Sequence, residues 1–178
     1  RQTDNRGTVF FGHWNRDKFL ELAATTPALH YDLTRVTGID SLPQVANPNI
    51  LFYLDAASDV TGRNIIKDGV CEELYLTLGY DYYAQQPFTA RRAVFDPQSS
   101  STKWQYIALP FDCEVPEGSR ARRIKKLSNI LISESDEVNT TLKACTPYLY
   151  RTTRPGEDRI TATDVTVDDG HGTATSDT

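Results

Sequence analysis

The chain has 178 residues, 39% hydrophobic and 24% charged, enough apolar material for one domain or two small ones with a buried core and too much for a disordered chain. A formal net charge of −5 argues against a dedicated nucleic-acid binder, whose field is normally basic. No apolar run approaches the roughly 18 residues of a membrane helix, so no membrane insertion is expected of this stretch.

The sequence opens on Arg1 and contains no methionine, as expected of a mature or excised piece of a longer polypeptide. Residues 1–8 are polar and predict a frayed end. From Asn15 the pattern turns helical. Asn15 or Asp17 can cap the first turn, Phe19, Leu20 and Ala23 recur at helical spacing, and Pro27 closes the segment. Beyond it the period becomes alternating. Residues 49–54 (NILFYL) read as a short buried strand. Asp68-Gly69 is a hairpin turn signal, and after it Leu74, Leu76 and Leu78 occupy one face of a strand while Glu73, Tyr75 and Thr77 occupy the other. FTARRAVF, residues 88–95, is another strand, followed by a Ser- and Pro-containing loop over 96–103.

Residues 104–118, WQYIALPFDCEVPEG, alternate cleanly. Ile107, Leu109, Phe111, Cys113 and Val115 share the apolar parity, so Cys113 reads as packing and not as a nucleophile, since a thiolate on that face would be costly. Pro110 and Pro116 lie on the other parity and predict an edge or bulged strand. Further strands are expected over 121–127, 129–133, the TPYLYRT segment (146–152) and ITATDVTVDD (160–169), before a polar tail. Cys71, Cys113 and Cys145 are odd in number and fit no zinc template, so reduced thiols are expected ahead of a bridge.

No constellation rises to a catalytic site. His13, His30 and His171 sit in no nucleophile motif, and Asp112 and Glu114 are neighbours on one strand face and not a pair across a sugar. Asp164, Asp168 and Asp169 lack calcium-loop spacing. No metal ligand set and no cofactor is therefore assigned. Two features point to binding. Tyr80, Tyr82, Tyr83 and Phe88 collect aromatic rings of the kind that sugars and protein partners use. Arg120, Arg122, Arg123, Lys125 and Lys126 form a basic run, read first as a charged strand edge that deters aggregation and second as a patch for an acidic glycan or phosphate.

Three segments, in this order, resemble a family of β-rich modules of Bacteroidetes secreted and cell-surface proteins, which often follow leucine-rich repeats. They are ANPNILFYLDA with GRNIIKDGVCEELYLTLGYDYY, then PFTARRAVF, then KWQYIALPFDCEVPEG with ACTPYLYR downstream. The resemblance spans roughly residues 30–170. It implies an extracellular, non-catalytic module without shared catalytic residues. It also implies that Leu33, Val36, Ile39 and Leu42, spaced by three, belong to a last repeat-like coil, and that the β module continues past residue 178. The expectation is an all-β fold, mainly antiparallel, sandwich-like or with a short repeat-like coil packed on it, with one N-terminal α-helix. Residues 1–45 form a helix-and-coil cap and residues 46–178 the β module. The expected role is adhesion, or binding of a glycan or a host or surface protein. The alternatives are a structural spacer or cap without its own ligand, and an accessory domain of a glycan-degrading enzyme.

Overall fold

The computed structural model describes residues 7–25, 28, 30–128, 131–138 and 140–170. Their order is β1 (Gly7–His13), α1 (Arg16–Thr25), β2 (His30–Thr37), β3 (Leu51–Leu54), β4 (Ile65–Lys67), β5 (Val70–Thr77), β6 (Phe88–Asp96), β7 (Gln105–Ile107), β8 (Cys113–Glu114), β9 (Arg120–Ser128), β10 (Leu131–Val138), β11 (Thr141–Leu142), β12 (Tyr148–Arg151) and β13 (Ile160–Val167). The fold is thus rich in strands, with one helix among the described residues.

A seven-stranded sheet runs β1-β2-β3-β4-β5-β6-β13, and a four-stranded one runs β10-β9-β12-β7, with the small β11-β8 pair beside them. The long sheet crosses residue 45 without a break. Gly7 pairs with His30 and His30 with Leu51, so the first parallel strands stand 23 and 21 residues apart. Ladders β1–β2, β2–β3, β3–β4 and β5–β6 are parallel. Among the described residues the other six ladders are antiparallel, so antiparallel pairing predominates as expected, beside a parallel part that was not. Parallel strands are covered on both faces and read as continuous apolar runs, as all four buried residues of β3 do. The reversal between β4 and β5 is the predicted hairpin. Lys67 pairs with Val70 across Asp68 (φ 50°) and Gly69 (φ 72°), the left-handed pair a two-residue type I′ turn requires.

The helix forms where its cap is. Asn15 Oδ1 accepts from the Asp17 and Lys18 amides at 3.1 and 3.4 Å, satisfying two of the first-turn donors. Phe19 and Ala23 then bury against Tyr31, Leu33, Phe52 and Leu54, and the Tyr31 hydroxyl donates to the Ala23 carbonyl at 2.9 Å. Val36, Ile39 and Leu42 pack on the same cluster as Leu33, so the spacing-by-three residues share one core.

On β3 and β4 the two faces serve two cores. Phe52, Leu54 and Ile65 face the helix cluster, whereas Leu51, Tyr53 and Ile66 join the larger cluster beneath the second sheet. That larger cluster takes Leu74 and Leu76 from β5, Ala93 and Phe95 from β6, and Ala121, Tyr148 and Tyr150 from the four-stranded sheet. Where α1 no longer covers the first face, it is polar: Glu73 bridges Arg63 and Arg92, and Arg159 reaches Asp96 and the Tyr75 hydroxyl.

Residues 104–118 follow the predicted parity in burial but do not form one strand. Ile107, Leu109, Phe111 and Cys113 are all buried, while the backbone leaves the ladder between β7 and β8. Pro110, placed on the outward parity by alternation, is buried as well, because the chain turns there and uses its carbonyls locally. Leu109 O accepts from the Cys145 amide and Pro110 O from the Asp168 amide, each at 2.7 Å. β7 does lie at the edge of its sheet, as two prolines in the segment imply. The basic strand β9 does not: it is internal, between β10 and β12, so its charges blunt no edge.

Candidate functional site

The site is built on the turn that ends β5. Asn49, buried at the entry to β3, uses its side chain as a piece of strand: Oδ1 accepts from the Thr77 amide at 2.7 Å, and Nδ2 donates to the carbonyls of Thr77 and Tyr80 at 2.9 and 3.0 Å. Asn47 Nδ2 donates to Asp81 O at 2.9 Å. Asn64 repeats the device one step along, accepting from the Tyr75 amide and donating to the Tyr75 and Pro48 carbonyls. Each amide thereby satisfies backbone groups that would otherwise be buried and unpaired. The loop carrying Tyr80 is fixed from below by two asparagines.

Tyr80 is 47% exposed on this turn. Across from it stands Tyr106 of β7, 55% exposed. Between them lies a groove of about 330 Å³ floored by Leu76, Leu78, Phe95 and Leu109, with Pro147, Cys145 and Gly170 completing the walls. Among the described residues no Asp, Glu, Lys, Arg or His lines it. The Tyr82 hydroxyl donates to Asp168 O at 2.7 Å and ties the segment after β13 against the groove wall. Cys145 has φ 54°, is exposed, and has its thiol pushed up to about 11, chiefly by desolvation and then by the Asp168 charge, so it is a protonated wall group at neutral pH.

Of the aromatic residues picked from sequence, only Tyr80 presents a ring to solvent. Tyr83 is 8% exposed and stacks on the buried His30 ring at 5.5 Å and 13°, and Phe88 is 4% exposed at the start of β6. Tyr82 is half-buried and packs against the larger core. Tyr83 and Phe88 are core, which corrects their assignment as ligand contacts, whereas Tyr82 lines the groove beside Tyr80. Tyr106 was missed, and so was Trp104. The signal was present: both sit on the outward parity of a strand whose other parity is core, where an aromatic has no packing reason to be.

The basic run splits by strand parity. Arg120 and Arg122 lie on the outward face of β9 with Trp104 against them, Arg122 at 4.7 Å from the indole centroid and Arg120 at 6.0 Å. Arg123 is opposite the buried Tyr148 in register and so belongs to the other parity. The side chains of Lys125 and Lys126 lie outside the described residues, as do His171 and the rest of the polar tail.

The remaining candidates are accounted for by structure. Cys71 and Cys113 are buried and free, each thiol pushed up to about 12 by desolvation, and so unsuited to nucleophilic work. The Asp112 carboxylate accepts from the Ala144 amide at 2.7 Å and pairs with Lys143 at 3.3 Å, and these hold its pKa below the usual value. Asp164 pairs with Arg91, and Asp168 Oδ1 accepts from the Gly170 amide. Among the described residues no group of three His, Cys, Asp or Glu is placed to hold a metal ion, and no helix is long and apolar enough to cross a membrane. A second cleft, of about 540 Å³, opens between the loops after β2 and β3 near Asp40, Asp55 and Asp59, but it has no exposed aromatic ring.

No family model matches the chain, no curated protein matches it in sequence, and no solved structure matches its fold.

Proposed function

We propose that this chain is a non-catalytic binding module of an extracellular or cell-surface protein and that it takes a glycan in the groove between Tyr80 and Tyr106. One observation carries the reading: two phenol rings, each about half exposed, flank a preformed apolar groove that no charged side chain among the described residues lines. Flat aromatic faces bind the C–H faces of sugar rings, and an uncharged lining suits a neutral sugar unit. The turn beneath Tyr80 is held by Asn47 and Asn49, so the ring is positioned before any ligand arrives. This accords with the resemblance to Bacteroidetes surface modules, and the two sheets facing one another over a shared core support a sandwich-like arrangement of the β module.

The competing role is a spacer or cap of a larger surface protein. It is favoured by the burial of Tyr83 and Phe88 and by parallel strands recurring 23 and 21 residues apart, as in a stacked coil. A glycan array probed with the native chain and with Tyr80→Ala and Tyr106→Ala separates the two. Binding that both substitutions weaken supports the groove. No binding to any glycan, with the protein folded, leaves the spacer.

A further inference from the structure

The groove between Tyr80 and Tyr106 selects its ligand by what its interior is able to bond. Its floor is hydrocarbon, from Leu76, Leu78, Phe95 and Leu109. Backbone donors along its walls are committed within the protein. The Thr77 amide donates to Asn49 Oδ1 at 2.7 Å and the Leu78 amide to Asp96 O at 2.9 Å. The Cys145 amide donates to Leu109 O at 2.7 Å and the Gly170 amide to Asp168 Oδ1 at 3.0 Å. Pro110 and Pro147 have no N–H to offer. Among the side chains, Asn49 and Thr77 are only 3% and 6% exposed, and the Tyr82 hydroxyl is given to Asp168 O. The Cys145 thiol is a weak donor. The wall is also set in shape, since a Cβ on Gly170 (φ 75°) would stand 3.2 Å from the Tyr82 ring. Tyr80 and Tyr106, both half-exposed, bring their hydroxyls at the rim.

We infer that the sugar unit in this groove is a 6-deoxyhexose, with its methyl group on the apolar floor and its ring hydroxyls at the tyrosine rim. The inference rests on the glycan-binding reading of the groove and names the sugar class. At about 330 Å³ the groove is at the small end of ligand pockets, so it encloses one sugar unit and not a chain. An ordinary hexose has a hydroxymethyl arm where a 6-deoxyhexose has a methyl. On this floor the extra hydroxyl loses its water and gains no partner, whereas the methyl gains by leaving water. An acetamido group fares no better, because both its N–H and its carbonyl need partners. Ring hydroxyls at the rim keep water and the tyrosine hydroxyls, while the C–H face of the sugar lies against the phenol rings.

Titration and saturation-transfer NMR of the intact chain with matched methyl glycosides test this. The pairs are L-fucose against L-galactose, L-rhamnose against L-mannose, and D-quinovose against D-glucose, each differing by one hydroxyl. At least one 6-deoxy sugar should bind about tenfold or more tightly than its parent, the scale on which an apolar pocket rejects an added hydroxyl. Its methyl protons should take the strongest saturation, and Tyr80→Ala should abolish both signals. The matched pairs read the floor in the native chain, so the answer does not depend on a floor variant that fails to fold. Equal or tighter binding of the parent hexoses, lost in Tyr80→Ala, overturns this inference and leaves the groove reading standing. Saturation weakest at the methyl, or tighter binding of N-acetylglucosamine than of any 6-deoxy sugar, does the same. A 6-deoxy preference that survives both Tyr80→Ala and Tyr106→Ala places the sugar elsewhere and overturns the site. Absence of all glycan binding by the folded chain sinks both readings.

Discussion

Within the two-sheet core and beneath the long sheet, Tyr148, Tyr150 and Tyr83 are almost wholly buried, whereas at the groove rim Tyr80 and Tyr106 are 47% and 55% exposed. The interior tyrosines give their hydroxyls to the protein: Tyr148 accepts from the Lys143 amide, and Tyr150 bonds to Asp158 and Ser119. Tyr80 and Tyr83 are separated by only two residues, yet Tyr83 stacks on His30 while Tyr80 faces water. The difference teaches where each residue's free energy goes. A buried ring contributes to folding, and truncating it leaves a cavity. An exposed ring contributes little to folding and is available for a ligand.

The contrast breaks most visibly at Tyr83. Tyr83→Ala should cost about 4 kcal/mol of stability in urea unfolding, the usual loss for an aromatic removed from a core. A loss under about 1 kcal/mol would place Tyr83 with the rim residues. Next comes Asn49→Ala, expected to cost about 3 kcal/mol, because the Thr77 amide and two carbonyls lose their partner in a buried strand. It should also loosen the Tyr80 turn, so any ligand binding would fall with it, whereas Asn64→Ala should cost stability and spare binding. Tyr150→Phe sharpens the interior side of the contrast. It removes the hydroxyl that donates to the buried Asp158 carboxylate and should cost about 2 kcal/mol.

The smallest effect is at Asp112, whose pKa is lowered first by the Ala144 amide and then, against some desolvation, by Lys143. A lowered pKa in the folded state means stability that is complete above the unfolded value of about 3.9 and is lost as pH falls through the folded value. The side chain is 53% exposed, so solvent screens the pair and only a few tenths of a kcal/mol are at stake. Asp112→Asn should lower stability slightly at pH 7 and flatten the acid limb of the unfolding curve below about pH 4.

Local chemistry was legible in the sequence, and long-range placement was not. The Asn15 cap, the Asp68-Gly69 turn, the Leu74 and Leu76 face and the buried parity of Cys113 follow from residue type and spacing within a dozen positions. The interior position of β9 does not, because its second neighbour, β12, lies beyond β10 and β11 in the chain. Tyr80, Tyr82 and Tyr83 lie outside any strand, where no period distinguishes inward from outward. Their separation comes from contacts with β2 and with the segment after β13, far apart in sequence. The first parallel ladders were hidden for a related reason: β1 and β2 join residues 23 positions apart, and their pairing depends on the helix and loop between them. Trp104 and Tyr106 were legible in principle, as aromatics on a solvent-facing parity.

The most direct test of the binding account is the double substitution Tyr80→Ala/Tyr106→Ala, examined on a glycan array and by thermal unfolding in parallel. The expected result is loss of every glycan signal seen with the native chain, with the melting temperature shifted by no more than about 2 °C, as surface truncations allow. Glycan signals unchanged by the double substitution, or no signal from the folded native chain, would contradict the account.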